Sequence, residues 1–208
     1  MIKMEGKEVQ STKFKKTRKK YNIYYLDLDQ IKKIIASAKS LRDRIVLKLL
    51  SRTGMRRFEL CSLRIQDVDF DGKKIFIAKG KGNVPRSVPI DEDTLQDIKF
   101  YMGSRQHGKL IQSNNKKIDG IDESRINMIV RKTAERAGIK HPDPTKKHLN
   151  PHIFRHSFIR NLIRLGVPPN YLQQLAGHSD IRTTLQMYGI PSFKDTQDKY
   201  NEVIKNFY

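Results

Sequence analysis

Signals for β-strands are concentrated in residues 68–90, and this limits the possible folds more than any other feature. Outside this segment the sequence predicts at most a short buried extended piece at residues 108–112. Residues 68–70 and 75–78 are rich in β-branched and aromatic side chains. They flank an Asp71-Gly72 pair that is typical of a tight hairpin turn. Residues 86–90 follow a glycine-rich stretch as a third strand. The sequence therefore predicts a mostly α fold with one small antiparallel three-stranded β-sheet (α+β).

Apolar residues recur at helical spacing on both sides of this sheet. Residues 41–50 are apolar on most faces, which predicts a central, buried helix that Gly54 interrupts. Asp27 or Asp29 is the expected N-cap of the preceding helix, and Asn150-Pro151 is typical of a helix start. The other predicted helices cover residues 58–63, 91–102, 122–137, 151–165, 170–176, a segment from Ser179 or Asp180 through Tyr188, and residues 194–206.

The charge of the chain indicates a polyanionic partner. Its 42 lysine and arginine residues against 22 acidic residues give a formal net charge of +20, and nucleic acid is the usual partner that explains such self-repulsion. The single cysteine excludes an internal disulfide framework and a zinc site built from cysteines. The chain has neither an apolar run of about 18 residues nor an apolar signal-peptide core. We therefore expect a cytoplasmic, nucleoid-associated protein without a membrane partner.

Residues 1–22 form a basic arm without apolar periodicity, which we expect to be disordered when alone. Six of the eight positions from 13 to 20 are basic. The arm is either a solubilising tail or a segment that lies along a phosphate backbone. In the second case the residues that contact DNA are Lys13, Lys15, Lys16, Arg18, Lys19 and Lys20.

Several residues of the globular part carry useful chemistry, although each has a simple structural interpretation when taken alone. His152 and Arg155 share one helix face, where a pair of cations is usually solvated. His178 directly follows a predicted helix end, as a histidine that caps a helix does. Tyr188 lies on an apolar helix face, as a core tyrosine does.

Four segments change this interpretation when they are taken together and in order. Residues 53–60 (TGMRRFEL) resemble the first signature of the tyrosine recombinases, also called the phage integrase family. Residues 80–90 (GKGNVPRSVPI) resemble the lysine hairpin of that family, and residues 151–158 (PHIFRHSF) resemble its HxxR box. Residues 175–188, which include LAGHSDIRTT and end in Met-Tyr, resemble its closing histidine and nucleophile motif. The resemblance covers residues 27–190 and implies the catalytic-domain fold of this family.

Carried over position by position, the resemblance implies a role for each of seven residues. The nucleophile is Tyr188, and the general acid is Lys81. The scissile phosphate is held by Arg56 and Arg155, with His178 as a further donor. His152 assists proton transfer and phosphate binding, and Glu59 supports Arg56.

Two of these assignments have a rival in the neighbouring sequence. Arg57 stands beside Arg56, which we prefer because it directly follows Thr-Gly-Met. Lys79 is the rival of Lys81, which we prefer because it lies within Gly-Lys-Gly-Asn. Lys79 and Arg86 are the residues near the hairpin that we expect to contact DNA.

Cleavage of a DNA phosphodiester independently requires these residue types. Negative charge grows on the phosphoryl oxygens in the transition state, and an arginine donates two parallel hydrogen bonds to such oxygens while staying charged. A tyrosine hydroxyl with a pKa of about 10 needs a base and a positive field. The leaving 5′ oxygen needs a proton, which a lysine on a flexible hairpin supplies. A covalent phosphotyrosine conserves the bond energy, so we expect no ATP, metal or other cofactor.

The sequence thus predicts a site-specific DNA recombinase or integrase that acts on double-stranded DNA as a dimer or tetramer. Two other functions stay open: nicking and closing like a type IB topoisomerase, and non-catalytic DNA binding as an accessory protein. We expect the basic arm at residues 1–22, a catalytic domain at 23–192 and a terminal helical segment at 193–208. The terminal helix either folds back on its own domain or docks on a second copy of the chain.

Overall fold

The computed structural model describes residues 24–78, 85–113 and 119–177, together with Gln197, Tyr200 and Asn201. The predictions for the basic arm, the hairpin tip and the helix that carries Tyr188 lie outside the described residues, as does most of the predicted terminal helix. Within the described ranges the elements follow in the order α1 (Leu28–Ala36), α2 (Leu41–Thr53), α3 (Arg57–Ser62), a 3₁₀ turn (Ile65–Asp67), β1 (Val68–Asp69), β2 (Lys74–Ile77), β3 (Arg86–Pro89), α4 (Glu92–Met102), α5 (Glu123–Arg136), α6 (Pro151–Arg164) and α7 (Pro169–Ala176).

The three strands form one antiparallel sheet in the order β1-β2-β3. Ile75 pairs with Val68 on one side and with Val88 on the other, and all three side chains are buried. The predicted turn forms between β1 and β2, where Asp69 Oδ1 accepts a hydrogen bond from Gly72 N at 2.7 Å. The prediction of a mostly α fold with one small three-stranded sheet is confirmed.

Helix α2 lies at the centre of the core and packs against α1, α4, α5 and α6. Its apolar residues from Ile45 to Leu50 are fully buried, as predicted for this segment. Three basic side chains of α2, spaced four residues apart, form ion pairs with aspartates in α4 or at its N-cap. The pairs are Arg44 with Asp97, Lys48 with Asp93 and Asp97, and Arg52 with Asp91 and Asp93.

Asp27, the first of the two expected N-caps, caps helix α1. Asp27 Oδ1 accepts from Gln30 N at 2.8 Å, and Gln30 Oε1 accepts from Asp27 N at 3.0 Å. This reciprocal pair satisfies two backbone donors that the first turn leaves without an intrahelical partner.

Residues just before α1 are fastened to α6. Leu26 is fully buried, its N–H donates to Ser157 Oγ at 2.8 Å, and its carbonyl accepts from Asn161 Nδ2 at 3.2 Å. Sequence periodicity does not predict this attachment because it joins a non-helical segment to residues 131 and 135 positions away. Among the helices that the structure describes, none is both long and apolar enough to cross a membrane.

Candidate active site

The connection between α2 and α3 presents Arg56 to the site. Helix α2 ends at Thr53 because Gly54 adopts a left-handed conformation with φ of 63°. Met55 is fully buried and anchors the connection, and Arg56 is the extended N-cap of α3. The side chain of Arg56 is only 13% exposed, so its direction is set by the fold.

Replacing Gly54 with alanine should destabilise the protein. A Cβ at this position would lie 2.3 Å from Cδ1 of Phe158 in α6, and a left-handed backbone disfavours any side chain. We expect a loss of about 2–4 kcal/mol in the free energy of unfolding, measured by urea denaturation. Gly138→Ala is the matched control, because φ is 68° there and nothing lies within 4 Å of the added carbon. Equal losses in both variants would show that contact with Phe158 contributes nothing.

Glu59 connects two arginines at the base of the site. Its carboxylate is fully buried and accepts two hydrogen bonds from Arg86, Nη1 to Oε1 and Nη2 to Oε2, each at 2.8 Å. It also accepts from the backbone N–H of Arg56 at 2.7 Å and from Arg56 Nη1 at 3.2 Å. Burial alone would raise the pKa of Glu59, but the hydrogen bonds and positive charges of Arg86 and Arg56 hold it below its ordinary value. Glu59 is therefore a carboxylate at neutral pH.

Helix α6 presents His152 and Arg155. Asn150 caps this helix by accepting from His152 N at 3.0 Å, and Pro151 occupies the first turn. Arg155 is 7% exposed, and it donates to the carbonyl oxygens of Gly54 at 2.6 Å and Ala176 at 2.5 Å. It thus ties the connection before Arg56 to the end of α7.

Positive charges surround His152. Partial burial lowers the pKa of its imidazole, and the charges of Arg57, Arg155 and Arg56 lower it further. The ring is therefore neutral at pH 7 and able to accept a proton. Arg56 and Arg155, which are 99 positions apart in the sequence, lie close together because Arg155 donates to the carbonyl of Gly54, two residues before Arg56.

The structure separates Arg56 from its neighbour Arg57. Arg57 forms a salt bridge with Glu123 and donates to Asn127 Oδ1 at 3.4 Å, both in α5. Arg56 instead contacts Glu59. This difference supports the preference for Arg56 as the phosphate-binding residue, with Arg57 contributing to the charge near His152.

The described part of the chain brings together Arg56, Glu59, His152 and Arg155 of the predicted site. Tyr188, His178, Lys81, Lys79 and the six basic residues of the arm lie outside the described residues. Within the described ranges, no group of three histidine, cysteine or acidic side chains is placed to hold a metal ion.

Arg86 differs from the expectation that it contacts DNA. Its side chain is 7% exposed, and its guanidinium is engaged by Glu59 and, through Nε at 3.2 Å, by the carbonyl of Leu175. All three guanidinium nitrogens of Arg86 donate to protein acceptors, and two of these acceptors are carboxylate oxygens that compensate its charge, so this group is committed to the protein interior. The alternation of side chains along β3 is a signal that could have shown this burial. Arg86, Val88 and Ile90 occupy alternate positions, so their side chains point to the same, buried face of the sheet.

Comparison with known proteins identifies the family to which this chain is similar. Residues 24–194 match the phage integrase family. Tyrosine recombinase XerA of Pyrococcus horikoshii is 30% identical over 191 residues, which are 90% of this chain and 64% of that protein.

Solved structures show the same architecture. The crystal structure of XerA recombinase has a TM-score of 0.70 at 28% identity and covers 86% of this chain and 64% of that chain. The Tn1549 transposon integrase in complex with a circular intermediate DNA has a TM-score of 0.68 at 21% identity, which shows likeness of fold, over 88% of this chain and 67% of that chain. The chain thus spans between half and two thirds of the length of the XerA proteins that it matches.

Proposed function

Because the chain belongs to the phage integrase family, the tyrosine recombinases, we propose that it is a site-specific DNA recombinase that cuts and rejoins strands through a covalent 3′-phosphotyrosine. The catalytic-domain fold expected from the four sequence motifs is confirmed by the likeness to XerA. The activity of this chain, its substrate and its assembly on DNA are all part of the proposal. Double-stranded DNA is the substrate.

One observation carries the proposal: α6 holds His152 and Arg155, and the bond from Arg155 to the carbonyl of Gly54 places this helix beside the connection that presents Arg56. Two arginines held in fixed directions suit the charge that grows on phosphoryl oxygens in a transition state. Both are largely buried, so their orientation is set before substrate arrives. Such preorganisation is usually the largest contribution to catalysis in a site of this kind.

The proposed reaction exchanges one phosphodiester for another. The Oη of Tyr188 attacks the scissile phosphorus, the bond from phosphorus to O5′ breaks, and the 3′ phosphate stays on Tyr188. Lys81 protonates the departing O5′, and the neutral imidazole of His152 assists removal of the tyrosine proton. His178 adds a donor to the phosphate. A 5′ hydroxyl then reverses these steps, so the bond energy is conserved without ATP, and the arginines supply the positive charge that a metal would otherwise supply.

A nicked-substrate trap tests the proposal. A library of duplexes with a randomised centre is nicked at varied positions, so that cleavage near a nick releases a short fragment and prevents rejoining. We expect an SDS-resistant complex of protein and DNA, and sequencing of the bound duplexes identifies the target. If the protein reversibly relaxes supercoiled DNA but exchanges no strands between the selected duplexes, the result would favour the topoisomerase-like alternative. Binding without any covalent complex would favour the accessory DNA-binding protein.

The basic arm should contribute to affinity through phosphate contacts. Deleting residues 1–20 removes eight lysines and arginines. If all eight neutralise phosphates, the slope of log K against log salt should become shallower by up to about 7. Fluorescence anisotropy across a salt series measures this slope. Deleting residues 1–12 removes only two of the eight and should change the slope little, whereas equal slopes in all three proteins would exclude contact between the arm and DNA.

The proposed assembly is a dimer or tetramer on DNA, because exchange needs two duplex sites. We propose the same division of the chain as the sequence predicts: the arm at 1–22, the catalytic domain at 23–192 and the terminal helical segment at 193–208. Tyr200 in that terminal segment is helical and 59% exposed. Because so much of this ring is exposed, it is available to contact either its own domain or a second copy of the chain.

A further inference from the structure

Arg86 joins parts of the site that are distant in the sequence. Its guanidinium binds both carboxylate oxygens of Glu59 in α3, and its Nε donates to the carbonyl of Leu175 near the end of α7. Its stem packs on the backbone of Gly177, where an added Cβ would lie 2.9 Å from Cδ and Nη1 of Arg86. Its strand, β3, follows the segment that holds Lys81, and Gly177 directly precedes His178.

The charges around Glu59 show what Arg86 contributes. Arg86 makes two hydrogen bonds of 2.8 Å to the carboxylate, whereas the side chain of Arg56 makes one of 3.2 Å. The three groups together carry a net charge of +1. If Arg86 were absent, Glu59 would neutralise Arg56 and draw its guanidinium toward the protein interior, because a buried carboxylate requires a partner. Arg86 therefore keeps the charge of Arg56 available.

Two guanidinium groups also hold the end of α7. Arg86 bonds the carbonyl of Leu175, and Arg155 bonds the carbonyl of the next residue, Ala176. Positive groups at a helix C-terminus satisfy carbonyls that have no intrahelical partner. The segment that leads to His178 thus begins at a helix end held from both β3 and α6.

We propose that Arg86 is a positioning residue for DNA cleavage, which holds Glu59 so that Arg56 keeps its direction and charge for the scissile phosphate. Its bond to Leu175 anchors the chain ahead of His178. The proposal rests on the proposed function, since it assigns Arg86 a part in that reaction. It replaces the expectation that Arg86 contacts DNA itself.

The test compares two substrates in single-turnover cleavage. One is a selected nicked duplex with an ordinary scissile phosphate, and the other carries a methylphosphonate, in which an uncharged methyl group replaces one non-bridging oxygen. Arg86→Lys keeps the positive charge but cannot bond both oxygens of Glu59 and Leu175 together. We expect a rate lower by about 10²-fold on the phosphodiester, because small misplacement of a catalytic group costs about this much. On the methylphosphonate, which has less charge for Arg56 to stabilise, we expect a loss below about tenfold.

Two further variants complete the test. Glu59→Gln keeps the shape but removes the carboxylate that orients Arg56 and binds Arg86, so Arg56 keeps its charge and loses its direction, and we expect the same substrate dependence. It serves in place of Arg86→Lys if that variant does not fold, as judged by circular dichroism. Arg44→Lys is the matched control, because Arg44 also donates to both oxygens of a carboxylate, from Nε to Asp97 Oδ2 at 2.9 Å and from Nη2 to Asp97 Oδ1 at 2.7 Å, away from the site. It should cleave both substrates like the wild type.

Equal losses on both substrates would assign Arg86 a purely structural role and overturn the proposal, as would wild-type rates in Arg86→Lys. If Arg86→Lys raised the dissociation constant for DNA more than about tenfold and left the cleavage rate of bound complexes unchanged, Arg86 would contact DNA directly. This result would also overturn the proposal. If the wild type cleaves neither substrate, the proposed function itself fails, which is a separate result.

Discussion

Tyr188→Phe should abolish covalent attachment to DNA while binding stays within about twofold of the wild type. The substitution keeps the ring and removes only the oxygen that attacks phosphorus. Loss of a nucleophile costs on the order of 10⁴-fold or more in covalent enzymes, so no SDS-resistant complex should accumulate. Gel electrophoresis of the trapped complex measures covalent attachment, and fluorescence anisotropy measures DNA binding.

Tyr171→Phe is the matched control for this substitution. Tyr171 lies in α7, is 55% exposed and has no assigned role in the reaction. It should form the covalent complex at the wild-type rate. A covalent complex in Tyr188→Phe would show that another residue is the nucleophile.

Arg155→Lys should lower the cleavage rate by about 10²–10³-fold and change DNA affinity much less. A lysine retains the charge but cannot donate two parallel hydrogen bonds to phosphoryl oxygens, and the loss falls on the transition state. The structure adds a second effect, because Arg155 also bonds the carbonyls of Gly54 and Ala176. We therefore expect the midpoint of thermal unfolding to fall as well. Single-turnover cleavage at saturating enzyme, below that midpoint, separates catalysis from stability.

Arg160→Lys provides the comparison on the same helix. Arg160 stacks on the ring of Tyr25 with its guanidinium carbon 5.7 Å from the ring centre. This variant should cleave like the wild type. If Arg155→Lys cleaved at a near-normal rate, the phosphate-binding role of Arg155 would be wrong.

The fold was largely predictable because its signals are local. The capping side chains of Asp27 and Asn150, the left-handed residue Gly54 and the Asp-Gly turn act within a few residues of their own positions. Attachment of Leu26 to α6 was not predictable, because it depends on polar side chains more than 130 positions away. The same holds for the ion pairs between α2 and α4: Arg44, Lys48 and Arg52 recur at helical spacing, but this pattern does not identify their partners on another helix.

The site was predictable at the level of residue types and only in part at the level of contacts. Motif order indicated Arg56, His152 and Arg155, and the structure brings them together. Glu59 was expected to support one arginine, whereas it binds two. The sequence predicts that Arg86 contacts DNA, whereas the structure buries its side chain against Glu59. Its burial depends on the pairing of β3 with β2 and on the packing of α7 against β3.

The most direct test of the central claim identifies the atom that becomes attached to DNA. The trapped complex is formed in EDTA, digested with trypsin and nuclease, and analysed by mass spectrometry. The tryptic peptide of residues 183–194 contains a single tyrosine, Tyr188. We predict one modified peptide, this one, carrying the 3′ phosphate of the cleaved strand on Tyr188. Attachment at another residue, attachment through a 5′ phosphate, or a complex that EDTA prevents would contradict the account.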